Sequence, residues 1–567
     1  MPLLFDDGAG ITGILMESGT PDRRLLAAVF AVLGGLMLAG STALLDRAEA
    51  ASLADPNPWV VRSVYPMSHY NPAQTDVTHV VGPSAGSKLT VEDARTVPVA
   101  WVSGPTVKRI GEDTVVIASN PLGIIKVRAT GESFDVISNV PYPHMEEVHA
   151  EVSDETIARV MRGIDGNRRK KQGWRLWLRS LMMYSRLNLG QRTMGSGAYA
   201  VIDKDGFHYT AFDKTWMVKS FDHNRVDQPM APVRSMNLMD ALPEDATDGI
   251  DRILGINMTY DGYLVAAATG GLFVMDRDLT VQDRILFPGE HVENSIAIDH
   301  QNGIYVVTSK QMHKLVWTGR ELSQRAEDGA WVSPYATMPE GESYKMGALS
   351  IGSGTTPTLM GFGEDEDKLV IISDASREGA NIVAFWREQI PDDFEQKAGA
   401  LSRRIADQQP IRISRATVEA SPAVYGYGVV LINSTYPEPS PISMDAIGNA
   451  LMSGITRKAP LGVQKFIWNA RDDRFEESRL LPDIDNTDWM PPAISPASGM
   501  TYIANKREGI NEYVGVDWET GEIKARWEFP DEGVIWNNWG GITTLLDDGD
   551  FLLGGFFAFK RYDVRRD

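Results

Sequence analysis

The chain of 567 residues carries a formal net charge of −21, with 76 acidic side chains against 55 Lys and Arg, and it contains no cysteine. That acidity argues against nucleic acid or an anionic lipid surface as a partner for the body as a whole. The missing thiols exclude disulfides, thiolate metal sites and cysteine nucleophiles, while the length suits either several domains or one repeat body with a continuous core.

Residues 1–24 read as a short cytoplasmic segment ending in Arg23 and Arg24. The run that follows, LLAAVFAVLGGLMLAGSTALL over residues 25–45, has no charge, and at about 1.5 Å per residue it reaches roughly 30 Å, the thickness of a bilayer core. It is expected to be a transmembrane anchor, with the two arginines holding the short side in the cytoplasm and the body exported. Ala48, Glu49 and Ala50 also resemble a small-x-small cleavage site, so a signal helix is the competing reading. Both place the body outside the cytoplasm, anchored to an inner membrane or free in a periplasm. Residues 46–90, including the Pro-rich stretch WVVRSVYPMSHYNPAQTDVTHVVGP, read as an extended linker and lead-in.

Over residues 91–567 short alternating segments and Gly/Asp/Asn turns dominate, which is the punctuation of β-structure. Hairpin patterns start near residues 103, 197, 254, 293, 355, 420, 490 and 537. The fourth, ENSIAIDHQNGIYVVTSKQMHKLVW, shows the form: a polar head at Glu293 and Asn294, a strand, a turn on Asn302 and Gly303, and a β-branched return. One such unit also describes a β-sandwich. The series predicts an all-β, seven- or eight-bladed β-propeller, in which each small sheet buries its faces on its neighbours until the ring closes. Closure would come from the N-terminal stretch or from FFAFKRYDVRRD at the C-terminus.

Insertions at 145–195 and 436–460 interrupt the pattern. In the first, Ser153 is placed to cap a helix whose first turn holds Asp154 and Glu155. Further on, a helical wheel gathers Trp174, Trp177, Leu178, Leu181 and Tyr184 on one face and Arg175, Arg179 and Arg186 in a stripe. Such a helix suits a membrane surface, with Trp174, Trp177, Arg175 and Arg179 as contacts; packing on the flank of the propeller is the alternative. In PHMEEVHAE, Glu146 and His149 share a helix face, without the spacing of a zinc protease. No phosphate loop and no GxSxG elbow is present.

Two stretches carry a family resemblance. VDWETGEIKARW, with Asp517, Thr520, Gly521 and Trp527, resembles the repeat of pyrroloquinoline-quinone-type propellers. The hairpins headed by Asn257 and Asn294 resemble gluconolactonase, paraoxonase and strictosidine-synthase-like propellers. In those hydrolytic propellers asparagines and carboxylates at the heads of inner strands hold calcium, which polarises the attacked group. The resemblance carries Asn257 and Asn294 over as metal ligands. Glu293, Glu419, Asp488 and Asn538 join them as heads of other inner strands, and His291 is the candidate base. These families generally have six blades, which departs from the repeat count here. The same residues would also simply cap strand ends.

The expected function is therefore binding or conversion of a small, hydrophobic molecule, as a calcium-assisted lactone or ester hydrolase. A non-catalytic scaffold for envelope proteins is the alternative. A quinone-dependent oxidoreductase comes third, since the quinoprotein alcohol dehydrogenases of the large propeller class generally place adjacent cysteines by the cofactor and this chain has none.

Overall fold

The computed structural model describes residues 52–190, 197–243, 249–339, 342, 348–439 and 446–564. The expected anchor at 25–45 lies outside the described residues, and among those described no helix is long and apolar enough to cross a membrane.

The described residues form eight antiparallel sheets in chain order, an eight-bladed propeller. The innermost strands of blades 1 to 4 are Thr106–Ile110, Ala200–Ile202, Ile253–Met258 and Val292–Ile298. Those of blades 5 to 8 are Thr358–Met360, Ala423–Tyr425, Ala493–Ser495 and Thr544–Leu545. Each pairs outward with the next strand of its own blade. The core lies between the blades. Val265, Ala267, Leu272 and Val274 of blade 3, for example, pack against Ile296, Ile298, Val306 and Leu315 of blade 4, all fully or nearly fully buried. At roughly 1.5–3 kcal/mol for each fully buried large side chain, this repeated seam is the main term holding the ring together.

Both chain ends close it. Ala94–Val102 is the outer strand of blade 8 and pairs antiparallel with Gly555–Tyr562, while Ser87–Lys88 adds a parallel edge to blade 7 beside Ile523–Glu528. Blade 8 therefore draws its outer strand from one end of the described chain and its other three from the opposite end.

Residues 65–76, part of the stretch read above as lead-in, run through the centre of the ring. The carbonyls of Tyr65, Pro66, Ala73, Thr75 and Asp76 accept the backbone N–H groups of Val107, Ile202, Leu359, Val424 and Ile494, of blades 1, 2, 5, 6 and 7. The Pro72 carbonyl takes both the N–H of Ile298 of blade 4 and the side-chain amide of Asn257 of blade 3. Tyr70 Oη donates to the Thr543 carbonyl beside blade 8. This plug touches every blade. His69, Tyr70, Gln74 and Asp76 all have φ between 56 and 70°, left-handed conformations that cost a non-glycine residue free energy and persist only where surroundings over-determine them.

Among the described residues four α-helices decorate the ring: α1 (Glu146–Glu151), α2 (Asp154–Arg169), α3 (Gly173–Arg186) and α4 (Ala446–Met452). Ser153 caps α2 by accepting the N–H of Thr156. Leu176 and Met183 of α3, Ile164 of α2 and Leu451 of α4 share a cluster with Trp101, Trp489, Trp539 and Phe556. In α3 the fully buried positions are Leu176, Ser180 and Met183, while Trp177 is only half-buried and Trp174 is 68% exposed. The apolar face read from the helical wheel is thus mostly outward, because the face one third of a turn away meets α2 and α4.

Candidate functional site

The inner strands all begin at one end of the ring, and there they surround a cavity of about 590 Å³ on the channel axis. Its wall follows the blade order: Ser103, Tyr199, Leu254, Glu293 and Glu419 near the inner-strand heads of blades 1, 2, 3, 4 and 6, then Pro491 and Ile542 by blades 7 and 8. The plug closes it from below through His69. Trp101, Trp489 and Trp539, whose indoles also support the helices, form an aromatic wall near blades 7, 8 and 1. Glu293 stands at blade 4 and Glu419 at the entry to blade 6, one blade before Trp489.

The two glutamates flank one loop. Glu293 Oε2 accepts the N–H groups of Ile351 and Gly352 at 2.9 and 3.4 Å. Glu419 Oε1 accepts Leu349 N, Ser350 N and Ser350 Oγ at 3.0, 3.3 and 2.8 Å. Gly354 is needed here for close approach, since a Cβ there would lie 2.6 Å from Glu419 Oε2. The remaining oxygens, Glu293 Oε1 and Glu419 Oε2, have no hydrogen-bond partner among the described residues, and neither is sealed from the cavity. Burial pushes the Glu293 carboxyl up to about 8, the nearby Glu419 charge adds to this, and the two backbone donors only partly offset it. Burial likewise raises Glu419.

At the floor, His69 Nδ1 faces both oxygens of Asp76, at 3.0 and 2.9 Å, and both side chains are buried. Burial raises the Asp76 carboxyl, against the opposing influence of His69. With Nδ1 held by a carboxylate, the assigned tautomer carries its proton there. His69 Nε2 has no partner among the described residues. The His69 backbone N–H is bound by Tyr65 Oη, and the ring lies 6.2 Å from that of Tyr199. Tyr199, pushed up to about 12 by burial, donates to Asn294 Oδ1 at 2.7 Å.

Of the residues singled out from sequence, Glu293, Asn294, Glu419 and His291 come together at the cavity, His291 exposed at its rim. Asp488 and Asn538 meet elsewhere: Asp488 Oδ2 accepts the Asn538 N–H at 2.8 Å, next to a crevice shared with Arg168 and Lys506. Asn257 is fully buried away from the cavity and bridges the plug and blade 4 through Pro72 and Ile296. The histidines of PHMEEVHAE diverge, His144 to Asp213 and His149 to Asn139.

These positions do not fit a calcium ion, which takes about 6–8 oxygen ligands. Asn257 Oδ1 is occupied by the N–H of Met258, and Asn294 Oδ1 by Tyr199 Oη and the N–H of Ser295. Each glutamate has one oxygen committed to backbone. Among the described residues no three His, Asp or Glu side chains converge as a metal site. The His69 and Asp76 pair was missed in the sequence, where His69 is one scattered histidine in a Pro-rich stretch. Its only local signal is the seven-residue separation from an aspartate.

No protein-family model matches the chain. An uncharacterized protein of Archaeoglobus fulgidus is 31% identical over 353 residues, which cover 59% of this chain. The match spans 63% of that relative's own length. Among solved structures, a europium-containing methanol dehydrogenase aligns over 87% of this chain and 90% of its own at 10% identity, with a TM-score of 0.46. A candidate 6-phosphogluconolactonase of Bacteroides fragilis aligns over 73% of this chain and 94% of its own at 12% identity and a TM-score of 0.36. The C-terminal WD40 domain of Sif2 covers 84% of this chain and 99% of its own at 8% identity and a TM-score of 0.40. At these identities no residue role passes from them to this chain.

Proposed function

We propose that the axial cavity binds a small molecule with an apolar body and that the protein converts it by acid–base chemistry, hydrolysis of an ester or lactone being the reaction its groups suit best. The observation that carries this reading is the His69 and Asp76 pair on the cavity floor. An imidazole oriented through Nδ1 by a buried carboxylate presents Nε2 as a proton acceptor. In this role Nε2 takes a proton from water as the water oxygen bonds to the carbonyl carbon. When the carbonyl re-forms, the C–O bond to the leaving group breaks and the departing oxygen takes the proton back. Asp76 fixes the ring and stabilises the imidazolium between the two steps. The tryptophan wall holds the apolar body.

The test is a screen of chromogenic esters and lactones of increasing chain length with the purified full chain. His69→Gln is expected to lower kcat by about 10²–10⁴ with KM nearly unchanged, and Asp76→Asn to lower kcat with an altered pH profile. Turnover that survives His69→Gln, or no turnover across the panel, removes the catalytic part of the reading.

The apolar run at 25–45 is proposed as an anchor that leaves the body outside the cytoplasm; its uncharged length supports this. Solubilisation of the full chain in carbonate without detergent would overturn it.

A further inference from the structure

We infer that the ligand of the axial cavity carries an ammonium group, primary or quaternary, on its apolar body, and that Glu293 and Glu419 receive it. This deepens the reading that the axial cavity is the ligand site.

Among the described residues neither carboxyl takes part in an ion pair, although acidic groups elsewhere, such as Glu528, Asp222, Asp203, Glu477, Glu512 and Asp550, find Lys or Arg within 4.0 Å. Each uses one oxygen to hold the loop at 349–352 and leaves the other without a partner among the described residues. Two carboxyl groups close enough to feel one another, in a half-buried wall, are unfavourable as a pair of anions, and a cation between them removes that penalty. Among the described residues the other ionisable groups lining the cavity do not supply it: Arg252 lies within 4.0 Å of Asp251, at 3.9 Å, and not of either glutamate, His69 is held by Asp76, and His291 is exposed at the mouth.

The aromatic wall is an independent observation that points the same way. Trp101, Trp489 and Trp539 line the same cavity, Trp489 one blade on from Glu419, and indole faces attract organic cations and their methyl groups more strongly than they attract neutral isosteres. An anionic or a purely apolar ligand would leave one wall or the other unmatched.

The consequence is proton-linked binding. At pH 6.5 the Glu293 carboxyl holds its proton, so a bound cation must expel it; at higher pH that group is already anionic. Affinity for the cation therefore rises with pH and levels off once Glu293, near 8, has ionised.

Calorimetric titration of the full chain with choline, tetraethylammonium and butylammonium, against the neutral isosteres 3,3-dimethylbutanol and butanol, tests this directly. The cations are expected to bind at least about tenfold more tightly than the alcohols, to gain affinity from pH 6.5 to 8.5, and to release protons, seen as an enthalpy that changes with the ionisation heat of the buffer. Glu293→Gln and Glu419→Gln should each weaken cation binding about tenfold while changing alcohol binding less than twofold. Equal affinity for cation and alcohol, or binding without proton release, overturns the proposal even if a variant fails to fold. His69→Gln separates the two readings: kcat should fall as stated above while the cations keep their advantage over the alcohols, and turnover that depends on His69 without any cation preference in the parent would sink only the present inference.

Discussion

At the scale of single residues, the buried acid at position 293 makes a stability prediction with a definite sign. Its carboxyl is raised from 4.5 to about 8 in the folded chain, so between those values the native state holds a proton that the unfolded state has lost. Stability contributed by this group is therefore full below about pH 4.5 and declines as pH rises toward 8. Glu293→Gln is neutral throughout, so the melting temperature of the variant should fall less than that of the parent between pH 5 and 8.5. Parallel curves from differential scanning calorimetry would contradict this. Glu293, Asn294 and Glu419 were legible in the sequence because a polar head before an alternating strand marks where a blade begins. The floor of the cavity was not. His69 and Asp76 belong to a segment with no alternation, whose backbone is fixed by seven or more distant strands rather than by its own residues. The three tryptophans were equally hidden, since what makes them one wall is the order of blades around a ring.

At the scale of elements, α3 separates what local pattern decides from what packing decides. The start of α2 at Ser153 could be read from its cap, because that bond is local. The buried face of α3 could not, because its partner α4 comes roughly 270 residues later in the chain and selects Leu176 and Met183 over the aromatics. Leu176→Ala should cost about 2–5 kcal/mol in chemical denaturation. Trp174→Glu, at a position 68% exposed, should cost less than about 0.5 kcal/mol. The outward stripe of Trp174, Leu178 and Leu181, bordered by Arg175 over the Trp174 ring, is where we propose membrane contact for this helix. Flotation with anionic vesicles checks it: binding lost in Trp174→Glu and Leu178→Glu supports the contact, and unchanged binding removes it.

At the scale of the whole molecule, blade number was left open by the sequence because closure joins residues that no local window contains. The eighth blade exists only when Ala94–Val102 meets Gly555–Tyr562. A chain starting at Ser52 should keep the cooperative melt of the full chain, while one starting at Gly104 loses the plug and the outer strand of blade 8 and should elute as an expanded or aggregated species in size-exclusion chromatography. The described chain enters at the end of the ring away from the cavity. Ser52 packs near Gly363, and Tyr260 Oη reaches the Asp55 carbonyl, both at turns that follow the far ends of inner strands. The helices stand at the cavity end.

The plug also sets a schedule. Tyr70 leaves the ribosome 473 residues before its partner Thr543, an interval on the order of a minute at about 5–20 residues per second. The segment finds its first partners early, since Val107 of blade 1 bonds Tyr65, but its contact beside blade 8 waits for nearly the whole chain. Folding in the cell thus carries a segment that gathers blades one after another, and the half-gathered ring is the state most exposed to chaperones, to proteases and to capture by a neighbouring chain.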